Sequence, residues 1–117
     1  MSIPRKASDR GAAIHPGEFL REDFMKPLGL SANALAIALR VPVTRITEII
    51  RERRGITVET AMRFGQYFGT TPEFWMNMQN HYELAIAKKT ILQRIRAEVR
   101  PAPRDKRTGE LKPRAIA

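Results

Sequence analysis

Between Ser31 and Thr57 the chain carries side chains suited to hydrogen bonding with a polyanion and poorly suited to catalysis. Val43, Thr44, Thr47 and Glu48 combine methyl surface with hydroxyl and carboxylate groups. Threonine can contact several base edges or a thymine methyl, and glutamate can accept from the cytosine amino group, so these four are the candidate base readers. Around them lie Ser31, Asn33, Arg45, Arg51, Arg53 and Arg54, donors of the kind that hold phosphate oxygens. Elsewhere the chemistry is sparse. There is no phosphate-cradling glycine loop, nucleophile motif or cysteine, and His15 and His81 are too isolated to suggest metal ligation. No catalytic residue, metal or cofactor is expected. Exposed threonine and arginine also decorate any solvated helix, so the reading depends on the elements that present them.

Those elements are legible in LSANALAIALRVPVTRITEII, residues 30–50, which reads as a helix-turn-helix. The Ser31 hydroxyl can cap a helix running through Leu39, with Leu35, Ala36 and Leu39 facing inward. Ala36 is small enough to let two steeply crossing helices approach. Pro42 has the fixed φ suited to the cap or first turn of a second helix beginning near Val43. Ile46, Ile49 and Ile50 then form its buried stripe, which turns the candidate readers outward.

The remaining pattern supports a bundle around that pair. His15, Pro16 and Gly17 open a first helix with Phe19, Leu20, Phe24 and Leu28 as apolar contacts, closed by Pro27 and Gly29. In the loop RERRGIT the glycine, Gly55, is suited to a positive φ. Thr57 is a candidate cap for a helix over 58–68, with Ala61, Phe64, Gly65 and Phe68 inward and Gly69 closing it. Thr70 or Thr71 caps the next. An aromatic stripe at helical spacing is far more often packing than a ligand site, so Phe74, Trp75, Met78 and Tyr82 are assigned to the core or a dimer interface. Apolar residues from Ile86 to Val99 either lengthen that helix or form a sixth. The expected organisation is a flexible arm over 1–13, an all-α domain of five or six helices over 14–99, and a basic, disordered tail over 100–117.

The chain has 117 residues and a formal net charge of +9, enough length for one domain with a core. That excess of positive charge points to a phosphate-rich partner, because neutralising phosphates releases condensed counterions. The absence of cysteine fits a reducing cytoplasm. The N-terminal residues lack the apolar core of a signal peptide, and no run has the length of a membrane span, so a soluble, cytoplasmic protein is expected.

From His15 to about Lys88 the chain resembles the HigA antitoxin family, XRE-type helix-turn-helix proteins also described as plasmid-maintenance antidote proteins. The phrases that carry the resemblance are IHPGEFLREDFMKPLGLS, VPVTRITEIIRERRGIT, ETAMRFGQYFGTTPEFWMNMQ and HYELAIA. TPEFWMNMQ is the most discriminating, since a generic DNA-binding relative has no need of that aromatic-rich helix. The resemblance implies a lambda-repressor-like DNA-binding domain that forms a homodimer on an operator with an inverted repeat and represses its own operon. It also implies a HigB-like toxin as partner, an RNase of RelE-like fold. The alternative is a stand-alone XRE-family transcriptional regulator with no toxin. Two features depart from the family pattern. The turn position after Leu39, commonly glycine, is Arg40, where a positive φ costs on the order of 1 kcal/mol. The chain is also strongly basic, whereas antitoxins that hold basic toxins often offer acidic surface.

Overall fold

The computed structural model describes residues 13–113. The expected N-terminal arm therefore lies almost wholly outside the described residues, as does the end of the tail. The chain divides into two units, residues 1–86 and 87–117.

In the first unit, helical structure starts at α1 (Pro16–Phe19), continues through a π-helical segment (Leu20–Met25) and ends with α2 (Lys26–Leu28). His15 caps α1 through its ring, Nδ1 accepting the Gly17 N–H at 2.9 Å. The π segment has a local cause. Pro27 has no N–H to give to the carbonyl four residues back and its ring crowds that carbonyl. A wider turn upstream, in which the Lys26 N–H bonds to the Arg21 carbonyl, lets the helix pass the proline. Pro27 thus lies within the last turn, and Gly29 closes it in the left-handed conformation. Leu28, expected inward, is 61% exposed.

The next elements follow the sequence pattern closely. Ser31 accepts the Ala34 N–H at 3.0 Å to start α3 (Ala32–Leu39), and Pro42 precedes α4 (Val43–Ile50). Thr57 caps α5 (Val58–Phe68) by accepting from Thr60 N–H, and Thr71 caps α6 (Pro72–Thr90) by accepting from Phe74 N–H. Leu35, Ala36, Leu39, Ile46, Ile49, Ala61, Phe64 and Trp75 close on Leu20 and Met25 as one apolar core. Ile50 packs at its edge, half-buried.

Trp75 is the centre of that core. It is fully buried, donates its indole N–H to Thr70 Oγ1 at 2.7 Å, and meets the Phe64 ring at 4.8 Å between centroids. Fixing the polar end of the indole allows its whole ring to be buried without leaving an unsatisfied donor. The other residues of the stripe divide. Phe74 is 38% exposed but touches Phe19 and Trp75, Tyr82 is half-buried against His15, and Met78 is half-buried.

In the second unit, α7 (Leu92–Glu98) is separate from α6, so the apolar run from Ile86 to Val99 is divided between two helices. Residues 103–112, expected to lack structure, form a tight turn. Asp105 N–H bonds to the Glu110 carbonyl and Lys112 N–H to the Pro103 carbonyl, and Arg104 pairs with Leu111 in a single antiparallel bridge. The Asp105 carboxylate accepts the Arg107 and Thr108 amides, a local hydrogen bonding that composition alone does not display. No residue of 87–113 is buried. Among the described residues there is no named strand, and no helix is long and apolar enough to cross a membrane.

Candidate nucleic-acid interface

The candidate readers sit on α4, whose position is set from both ends and from beneath. At its start, the turn from α3 is closed by two backbone bonds, Arg40 N–H to the Ile37 carbonyl and Val41 N–H to the Ala36 carbonyl. This is the Schellman arrangement, with Arg40 in the left-handed conformation at φ 57°. The turn therefore keeps the geometry that glycine would favour and bears the strain of a side chain. Arg63 adds a second fastening, donating from Nη1 to the Leu39 carbonyl at 2.8 Å.

At its far end α4 closes in the same way. Glu52 N–H bonds to the Ile49 carbonyl, Arg53 N–H bonds to the Glu48 carbonyl, and Glu52 takes φ 61°. The positive φ expected at Gly55 thus falls three residues earlier, on Glu52. Gly55 has a different role: a Cβ there would lie 2.7 Å from Gln79 Nε2. That space lets Gln79, buried, accept the Ile56 N–H at 2.9 Å and donate to Glu83. Arg21 reaches across from the π segment to donate to the Ile50 carbonyl, with Glu52 3.8 Å from the same guanidinium.

Beneath α4 the contact is backbone to backbone. A Cβ on Gly17 would stand 1.8 Å from the Ile49 carbonyl oxygen, so only glycine permits this approach of the first helix. Ile46 and Ile49 are fully buried on that side.

What remains outward is the expected set, presented unevenly. Val43 and Thr44 are exposed, and Thr47 and Glu48 are half-buried. Thr47 donates its hydroxyl to the Thr44 carbonyl at 3.1 Å, which leaves its methyl and oxygen lone pairs for an outside group. The start of α4 has no side-chain cap. Ser31 and Asn33 are exposed at the start of α3, where the Ser31 oxygen is already accepting but its proton can still be donated. Arg51, Arg53 and Arg54 are exposed in the turn after α4, while Arg45 is half-buried and lines one shallow concavity with Arg54, Thr57 and Glu59. The tertiary fold therefore brings Arg45 to Arg54, nine positions on, while Ser31 and Asn33 stay with a different helix. Among the described residues no cluster of three or more His, Asp or Glu could hold a metal ion.

No family model matches the chain. It is 54% identical over 89 residues to virulence-associated protein I of Dichelobacter nodosus, a match covering 76% of this chain and 82% of that protein. The solved structure of Pseudomonas aeruginosa antitoxin HigA with higBA promoter superposes with a TM-score of 0.73 at 44% identity, covering 75% of this chain and 96% of that one. Antitoxin HigA-1 of Vibrio cholerae is 32% identical over 80 residues, 68% of this chain and 73% of its own length.

The chain belongs to the HigA-type antitoxin family.

Several residues that shape this HigA-type domain do not stand out in the sequence. Gly17, Arg21 and Arg63 each act on α3 or α4 from another helix, and nothing in the spacing of a basic residue announces which distant carbonyl it will meet. Gly17 is the partial exception. A glycine inside the first turn of an otherwise apolar helix is a local cost, and such a cost often marks a close backbone approach.

His15 also does more than cap. It is buried, and its ring packs edge-on against Tyr82 at 4.9 Å between centroids. Burial holds the imidazole below its ordinary pKa, with Glu52 opposing that shift, Arg21 reinforcing it and Glu18 opposing it.

Proposed function

We propose that this chain is a DNA-binding antitoxin that represses its own operon as a dimer and neutralises an RNase toxin of the HigB kind. The observation that carries the DNA half is α4: its inward side is locked by Ile46, Ile49 and the Gly17 contact, while Val43 and Thr44 stand exposed at its first turn. The early residues of a second helix held in this way are those that enter the major groove. In this reading Val43, Thr44, Thr47 and Glu48 contact bases, and Ser31, Asn33, Arg45, Arg51, Arg53 and Arg54 contact phosphates. The similarity to a HigA antitoxin solved with promoter DNA supports it.

A symmetric dimer places two such helices on half-sites about 34 Å apart, one turn of the duplex. Footprinting of the region upstream of the gene should therefore show an inverted repeat. Replacing both Thr44 and Thr47 with Ala should cost about 1–3 kcal/mol of discrimination at each base that either side chain reads. Protection that persists unchanged in this double variant would show that α4 does not read the site. For the toxin half, a small neighbouring reading frame encoding a basic RelE-like protein should copurify with the chain and be tolerated by cells only when both are expressed. If no such product binds, the chain is a stand-alone regulator.

A further inference from the structure

Most of the charge that first suggested a polyanionic partner resides outside the helix-turn-helix unit. Residues 87–117 hold ten Lys and Arg against three Asp and Glu, a formal +7; residues 1–86 hold eleven against nine, a formal +2. In the first unit the basic groups are partly spoken for, Arg21 and Lys26 by Glu22 and Arg63 by Glu59. In the second, every Lys and Arg from Lys88 to Lys112 is exposed, and none forms an ion pair among the described residues. One of its three acids, Asp105, is committed to the Arg107 and Thr108 amides and holds the turn that carries Lys106 and Arg107. The unit uses that carboxylate for shape and leaves its cations uncompensated.

We propose that residues 88–112 form a second binding surface, for the phosphate backbone of double-stranded DNA, engaging the same duplex as α4 without reading its sequence. The proposal rests on the operator-binding reading for its location on DNA, though not for the affinity itself. Three features of the segment select the ligand. It contains no aromatic residue or histidine, so it offers no platform on which unstacked bases of a single strand could stack. It also lacks tryptophan and phenylalanine, two of the three usual anchors of an amphipathic membrane-surface helix, and the apolar residues of α7, Leu92 and Ile95 with Val99 at its end, span only about two turns. A duplex, by contrast, presents one negative charge per about 1.7 Å of axis, and each phosphate neutralised releases counterions. Because the segment is covalently joined to the helix-turn-helix unit, its contact becomes intramolecular once α4 is seated, which multiplies affinity without a new specific contact.

The test compares three full-length proteins: the natural chain, a variant with Arg94, Arg96, Arg100, Lys106, Arg107 and Lys112 all changed to Gln, and the Thr44→Ala, Thr47→Ala double variant. Probes are a duplex of the upstream region, a shuffled duplex of equal length, the corresponding single strand, and phosphatidylglycerol vesicles. The Gln variant should melt like the natural chain, since these side chains cover no core. It should bind both duplexes about 10–100-fold more weakly, keep their affinity ratio, and show a salt slope shallower by about 3 or more. The threonine variant should lose the ratio and retain the slope. An unchanged duplex affinity and slope in the Gln variant overturns the proposal. So does a loss confined to the single strand or the vesicles. If the natural chain does not prefer the upstream duplex while the Gln variant still flattens the slope, the operator reading fails and the phosphate surface stands.

Discussion

Among the described residues, all the buried apolar side chains, from Ile14 to Trp75, belong to residues 13–86, whereas residues 87–113 bury none; the first stretch belongs to a nearly neutral unit and the second to a strongly basic one. Holding a helix at a fixed angle requires close packing, and packing requires apolar periodicity with few uncompensated charges. Attracting a polyanion requires only density of exposed charge. Here the two requirements are met by different lengths of chain, so orientation and attraction can be altered separately. The segment that makes the chain basic is not the segment that looks like a reader.

The contrast is broken most severely at its packed side. Trp75→Ala removes the core residue on which Phe64, Phe68, Phe24 and Phe19 converge, and should cost about 4 kcal/mol in chemical denaturation. Gly17→Ala should follow at about 3 kcal/mol, because the added methyl meets a backbone carbonyl that no rotamer change can move. A loss below about 1 kcal/mol for Gly17→Ala would mean that the first helix is not pressed against α4.

Smaller changes sharpen the comparison. Arg40→Gly should raise stability by about 0.5–1 kcal/mol, since it relieves a side chain at φ 57° whose removal uncovers no core. The same exchange at an extended surface position would be neutral or unfavourable, so a decrease here would show that the Arg40 side chain holds the turn. Changing Arg107 to Ala should move stability by less than about 0.5 kcal/mol, as expected of an exposed side chain with no partner.

The finest test is pH. His15 accepts the Gly17 N–H through Nδ1, and protonation would turn that acceptor into a donor. Its folded pKa lies below the ordinary 6.5, so the unfolded chain binds the proton more readily. Stability from this group is therefore complete above about pH 6.5 and declines as pH falls from there towards the lowered folded value. Glu22, held low by Lys26 and then Arg21, adds a decline in the same direction below its ordinary 4.5. Melting temperature should fall between pH 7 and 5, and His15→Asn, which keeps a capping oxygen, should flatten that part of the curve. An unchanged profile would show that the ring's protonation is not coupled to folding.

Much of the α-helical frame is readable because its signals are local. Ser31, Thr57 and Thr71 cap where a hydroxyl precedes an apolar period, and Leu35, Ala36, Leu39, Ile46 and Ile49 face inward as that period requires. The readings that shift involve competition with something distant. Residue type matches Gly55 to a positive φ, but Glu52 takes it, because the closing bonds of α4 fix which position must turn left-handed. The aromatic stripe reads as one packing group, yet of its four residues only Trp75 is fully buried, Met78 and Tyr82 being half-buried and Phe74 exposed, because the partners that cover each position come from other helices and not from the spacing itself.

By itself, then, the sequence determined the helix boundaries from Ser31 to Thr71, the outward set on α4, the placement of net charge and the resemblance to HigA-type antitoxins. These depend on capping, periodicity and composition, which act over a few residues. The tertiary structure alone decided that Gly17 meets Ile49, that Arg21 and Arg63 fasten the helix-turn-helix at Ile50 and Leu39, and that Arg45 shares a concavity with Arg54. Those contacts join residues up to 32 positions apart. Which distant carbonyl a guanidinium finds, and which backbone a glycine admits, is set by the angles at which whole helices pack.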